Sequence, residues 1–139
     1  MGIEENADTM RRILREVTEG KRQFDAETHK ELSSLKTNYD VVIKLVSIGG
    51  TCPAGHKVGD EWIVKGNEDG WMTPNMCIFA FSAIYPSLQM LMFGGSFPWE
   101  PDAEAVLVPC PDSRNDVVFE LKRIGRVQER SINNGYRRE

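Results

Sequence analysis

The stretch Tyr39-Asp40-Val41-Val42-Ile43-Lys44-Leu45-Val46-Ser47-Ile48 is rich in valine and isoleucine and is closed by Gly49-Gly50. β-Branched residues suit a pleated, half-buried surface, so this run reads as a strand. Composition changes on its N-terminal side. Met10, Ile13, Leu14 and Val17 recur at helical spacing, with Thr9 as the expected N-cap and Gly20 as the expected stop. Asp25 to Lys36 reads as a second, more weakly amphipathic helix through Leu32 and Leu35. The strand therefore marks a boundary. A charged helical extension is expected over residues 1–38, a core domain over 39–124 and a polar tail over 125–139.

Beyond the first strand, Glu61 to Lys65 forms a short second one, followed by turn chemistry at Gly66-Asn67-Glu68-Asp69-Gly70. Thr73-Pro74 has the form of a helix start, with Thr73 as N-cap and Pro74 at the first helical position. The segment to Tyr85 is apolar on every side, which predicts a buried helix. Pro86 is expected to break it, leaving a short helix from Ser87 to Phe93 that Gly94-Gly95 stops. A Pro-rich loop from Ser96 to Glu104 follows. Ala105 to Val108 and Val117 to Lys122 then read as strands around a turn at Pro111-Asp112-Ser113. This order predicts an α+β fold: a small, mostly antiparallel sheet with a buried helix pair, plus the N-terminal helical extension. A small open barrel is the alternative.

Hydrophobic residues make up 40% of the 139, enough for one core in a chain of single-domain length. The formal net charge is −4, and Arg137-Arg138 is too short to be a basic stripe, so no nucleic-acid partner is expected. The apolar run from Met76 to Ile84 is interrupted by Ser82 and falls well short of the ~18 residues of a membrane span. The N-terminus lacks a basic-then-apolar leader, and Asn6 stands where a myristoylation signal has Ser or Thr. A cytoplasmic protein without a membrane partner is the expectation. A small-molecule substrate and a second copy of the chain remain as partners.

Three cysteines, an odd number, make a poor disulfide framework. In a reducing compartment such thiols stay free or bind metal. Cys52 lies in Cys52-Pro53-Ala54-Gly55-His56, Cys77 near the start of the expected buried helix, and Cys110 in Cys110-Pro111-Asp112. Together with His56 they form a donor set that suits zinc, and three thiolates could also hold an iron–sulfur cluster with one iron open. The chain has no C-x-x-C pair, so no standard zinc-ribbon or ferredoxin spacing is met. Cys77, beside Met76, Ile78 and Phe79, is equally well read as a small apolar filler. A nucleophilic Cys52 with His56 as base is a further reading, without an identifiable orienting group. Glu100 follows Phe97-Pro98-Trp99. A carboxyl group desolvated beside an indole suits a general acid, though such a glutamate is more often simply exposed. Asp60, after Val58-Gly59, reads as turn chemistry.

These segments, in their order, resemble a family of small bacterial and archaeal proteins with no assigned reaction. The resemblance rests on Cys52-Pro53-Ala54-Gly55-His56-Lys57-Val58-Gly59-Asp60, Cys77, Tyr85-Pro86, Gly94-Gly95, Pro98-Trp99-Glu100, Cys110-Pro111-Asp112 and Val117 to Leu121. It covers roughly Tyr39 to Ile124. It implies cysteines at the positions of Cys52, Cys77 and Cys110, and supplies neither substrate nor reaction. The expected function is a small metalloprotein binding an iron–sulfur cluster or zinc through Cys52, Cys77 and Cys110, with His56 as fourth ligand or neighbour. As an enzyme it would perform Lewis-acid hydration, dehydration or hydrolysis, with Glu100 or His56 moving protons. The alternative is a non-catalytic module that self-associates through its N-terminal helices.

Overall fold

The computed structural model describes residues 2–66 and 70–124. The middle of the turn expected after the second strand and the expected polar tail lie outside the described residues. The chain divides into two compact units, Met1–Asn38 and Tyr39–Glu139.

The first unit holds α1 (Ile3–Thr18) and α2 (Ala26–Ser34). α1 starts before the expected cap at Thr9. Glu4 and Glu5 sit in its first turn, where the positive end of the helix dipole favours carboxylates. The Thr9 hydroxyl instead donates back to the Glu5 carbonyl at 3.0 Å. At its other end α1 stops as the sequence predicts. Gly20 takes a left-handed φ of 74° and closes a Schellman turn, its N–H on the Val17 carbonyl and that of Lys21 on Glu16. Asp25 caps α2, accepting the Thr28 N–H at 2.9 Å.

The second unit is built on four strands: β1 (Asp40–Ser47), β2 (Glu61–Val64), β3 (Ala105–Pro109) and β4 (Val118–Ile124). They form an open antiparallel sheet in the order β2-β1-β4-β3, so the fold is α+β and not a barrel. Alternation places Val41, Ile43, Leu45, Trp62, Phe119 and Leu121 on one face, where they pack with Ala80, Ile84, Leu88 and Leu91 of α3 (Ile78–Met92). On the other face Lys44 stands between its cross-strand neighbours Glu61 and Glu120, a favourable charge alternation.

α3 departs from the expected helix pair in three ways. It begins at Ile78, not Pro74. The Thr73 hydroxyl accepts the Ile63 N–H at 2.9 Å, and the Thr73 N–H bonds the Ile63 carbonyl, so Thr73 extends the edge of β2. Asn75 then adopts φ 72°, which a right-handed helix cannot contain. Second, α3 runs unbroken through Pro86 to Met92. Proline removes one amide donor, and tertiary packing of Ile84, Leu88 and Leu91 outweighs that loss. Third, only one face is buried; Ile78, Phe79, Tyr85 and Met90 are exposed.

The stop at Gly94-Gly95 agrees with expectation and again has Schellman geometry. The Gly94 N–H meets the Leu91 carbonyl, the Gly95 N–H meets Met90, and Gly94 has φ 87°. A Cβ on Gly94 would find only ordinary contact with the Tyr39 ring at 3.6 Å, so backbone strain dominates the substitution. Gly94→Ala should cost about 1 kcal/mol, read as a fall of a few degrees in melting temperature. An unchanged melting temperature would show that the left-handed turn is dispensable.

Candidate functional site

β1 and β3 run toward the same end of the sheet, and β2 and β4 leave it, as the Lys44–Glu61 and Pro109–Val118 pairings establish. The β1–β2 loop (48–60) and the β3–β4 loop (110–117) therefore share that end. Asn115 pins one to the other. Its carbonyl accepts the N–H groups of Gly49 and Gly50 at 2.7 and 3.1 Å, and its Oδ1 accepts that of Thr51 at 3.0 Å. The approach is close: a Cβ on Gly50 would lie 2.5 Å from Asn115 Oδ1, so the Asn115 side chain would have to shift from its bond to Thr51. Asn115 in turn donates to Asp112 at 2.7 Å. That hydrogen bond, then the Arg114 N–H, holds the Asp112 carboxyl below the usual carboxylate range. Asn115 belongs to no motif in the sequence. Its one signal is position, in a polar turn facing Gly49-Gly50.

A third segment reaches the same end. After β2 the chain doubles back along the sheet edge through the Val64–Met72 bridge and the Thr73–Ile63 bonds. This return delivers Cys77 to the head of α3. Cys77 is the N-cap rather than a residue of the first turn, and its side chain makes no capping bond.

Four of the five candidate side chains thus lie at one end of the sheet: Cys52 and His56 in the first loop, Cys110 at the close of β3, and Cys77 at the head of α3. All three thiols are free and half-buried, packed at the margin of the core. His56 links two of the three segments. Its Nε2 accepts the Cys77 N–H at 3.1 Å, which leaves the ring proton on Nδ1. Its ring meets Trp62 edge-on at 4.9 Å, and Trp62 stacks on Phe119 at 6.0 Å in the same manner. The Cys77 amide occupies the lone pair that a base acting on Cys52 would use. Among the described residues, no three histidine, cysteine or acidic groups gather into a metal-holding cluster in this arrangement.

Glu100 lies elsewhere. Its Oε1 accepts the Leu107 N–H at 3.4 Å on the outer side of β3. β2 and β3 are the two outer strands, three spacings apart, on the order of 14 Å. Glu100 and His56 therefore attach to opposite edges. The Glu100 bond, the Ala105 N–H on Asp102 and the donorless Pro109 together satisfy the outward amides of β3, which keeps this edge from pairing with another strand. Asp60 accepts the Lys57 N–H at 2.9 Å, the turn role expected of it. No helix among the described residues is long and apolar enough to cross a membrane. Comparison with family models, curated proteins and solved structures finds no match for this chain.

Proposed function

We propose that the chain is a small metal-binding protein that holds zinc or an iron–sulfur cluster through Cys52, Cys77 and Cys110, with His56 as fourth ligand. The observation that carries this reading is topological: three separate segments bring these four side chains to one end of the sheet. Three thiolates and an imidazole fit zinc's tetrahedral preference in kind and number. Closure is part of the proposal. The loop bearing Cys52 and His56 is bordered by Gly49-Gly50 and Gly59, and His56 exchanges the Cys77 amide for the metal. A preformed site rarely exists before the metal binds, so ligands that gather only on binding are expected. With His56 beside the bound group instead of on it, the three cysteines would hold the group with one position open, and it would supply Lewis acidity for hydration, dehydration or hydrolysis of a small molecule. Within this reading Glu100 serves the β3 edge and not proton transfer.

Protein purified without oxygen should contain roughly one zinc per chain, or the iron and visible absorbance of a cluster. Cys52→Ser and Cys110→Ser should each strip most of that metal. A folded, metal-free wild type with three freely titrating thiols would overturn the proposal.

A further inference from the structure

α3 carries no Asp, Glu, Lys or Arg, yet half of its circumference faces outward. Ile78 is 74% exposed, Phe79 72%, Tyr85 46%, Met90 47% and Phe93, its C-cap, 67%. With Ser82, Pro86 and Gln89 these positions recur every three to four residues, so they form one continuous stripe. At such exposures five large side chains present on the order of 700 Å² of apolar surface, since an aromatic residue alone can bury ~150–250 Å². Monomers rarely leave so large a contiguous patch in water. A standard interface buries ~800 Å² per partner.

We infer that this stripe is the interface of a homodimer in which α3 packs antiparallel against α3 of a second copy. Reversed about the midpoint between Tyr85 and Pro86, six of the eight stripe positions meet one another, and Phe79 and Met90 fall against the partner's Met92 and the partner's Phe81, half-buried apolar residues at the margin of the stripe. Ile78 then meets the partner's Phe93, Ser82 meets the partner's Gln89, and Tyr85 meets the partner's Pro86. Apolar groups face apolar groups, and the one polar pair can hydrogen-bond. Gln89 already donates to the Tyr85 hydroxyl at 3.0 Å, which orders the tyrosine along the stripe. Close to a two-fold axis a charge meets its own copy, and a stripe without charge escapes that repulsion. Antiparallel helix dipoles add a small attraction. A lipid surface is a poorer occupant, because interfacial helices flank their apolar face with Lys and Arg and α3 has neither. The inference stands independently of the metal reading.

Sedimentation of the 139-residue chain should show a dimer in the micromolar range. Phe79→Glu and Met90→Glu should each raise the dissociation constant at least ~30-fold, the loss expected of a hot-spot side chain, with the melting curve retained. Leu14→Glu, on the exposed part of α1, should leave the dimer intact. An equimolar mixture of Ser82→Cys and Gln89→Cys chains should form a disulfide between the two introduced thiols, one from each chain, under mild oxidation, mapped by mass spectrometry. This arm decides the register even if the glutamate variants misfold. A monomeric wild type, a dimer that survives Phe79→Glu, or a mixture without that bridge would overturn the inference. A dimer abolished by Leu14→Glu alone would assign association to α1 instead.

Discussion

Replacing Arg123 by leucine is expected to destabilise the second unit by about 3 kcal/mol and lower its melting temperature by roughly 15 °C. The guanidinium is buried on the core face of β4, where alternation with Phe119 and Leu121 puts it. It donates to the carbonyls of Leu91 at 3.0 Å, Gly95 at 2.7 Å and Ala103 at 3.3 Å. It also bonds Glu104 at 2.5 Å and lies 5.1 Å over the Tyr39 ring. One side chain therefore ties β4 to the end of α3, to the loop before β3 and to the entry of β1. Leucine fills part of the volume and leaves these carbonyls without their donor, which is the costly half of a lost hydrogen bond. The ion pair is the smaller share, because Glu104 is half exposed and surface pairs contribute little. Glu104→Gln should therefore cost less than about 1 kcal/mol. Acid separates the two contributions. The Arg123 hydrogen bond holds the Glu104 carboxyl below its ordinary value of 4.5. That part of the stability is present above pH 4.5 and is lost as pH falls through the depressed folded value. Glu104→Gln should remove this small acid-side loss, while Arg123→Leu remains destabilised at neutral pH. Equal effects from the two substitutions would mean that the ion pair, not the carbonyl network, is the main attachment.

Arg123 also shows where the sequence is legible and where it is not. The strands are legible because their signal is local: the valine and isoleucine run of β1 and the alternation along β4 each follow from one segment. The same holds for Gly20 and Gly94, where a left-handed residue after an apolar turn stops a helix. Thr73-Pro74 misleads because the β2 edge competes for Thr73, offering an acceptor to its backbone N–H and a donor to its hydroxyl. Pro86 misleads because the break it favours is weaker than the burial of Ile84, Leu88 and Leu91 around it. An uncharged helix reads as buried on all sides, yet composition cannot distinguish core from an unpartnered face. At the candidate site, residue types are visible in the sequence and neighbours are not. Cys52, His56, Cys77 and Cys110 stand out by chemistry. The Asn115 clamp and the return of the chain along β2, which bring their segments to one end, are long-range. Glu100 stands out equally well and attaches to the opposite edge of the sheet.

Cys77→Ala is the substitution on which the metal proposal turns, and loss of the bound metal is its expected result. As packing alone, the change is mild. Cys77 is half-buried at the margin of the core, and trimming one sulfur there costs on the order of 1 kcal/mol. The His56 bond is to the backbone N–H, which alanine keeps, so the link between the β1–β2 loop and α3 survives. The first α3 hydrogen bond, Phe81 N–H to the Cys77 carbonyl at 3.0 Å, survives too. A variant that loses only packing would therefore melt a few degrees lower whether or not metal is present. If Cys77 is a ligand, the outcome depends on metal. The wild type gains stability from whatever binds its folded state alone, and that gain grows with free metal concentration. The variant should lose this dependence and melt at the same temperature with zinc or with chelator. The measurement is metal per chain together with melting temperature, in chelator and in excess zinc, for both proteins. Full metal occupancy in Cys77→Ala, with the same zinc-dependent rise as wild type, would remove Cys77 from the site. Two thiols and His56 would then remain, too few for a cluster and one short of a closed zinc site.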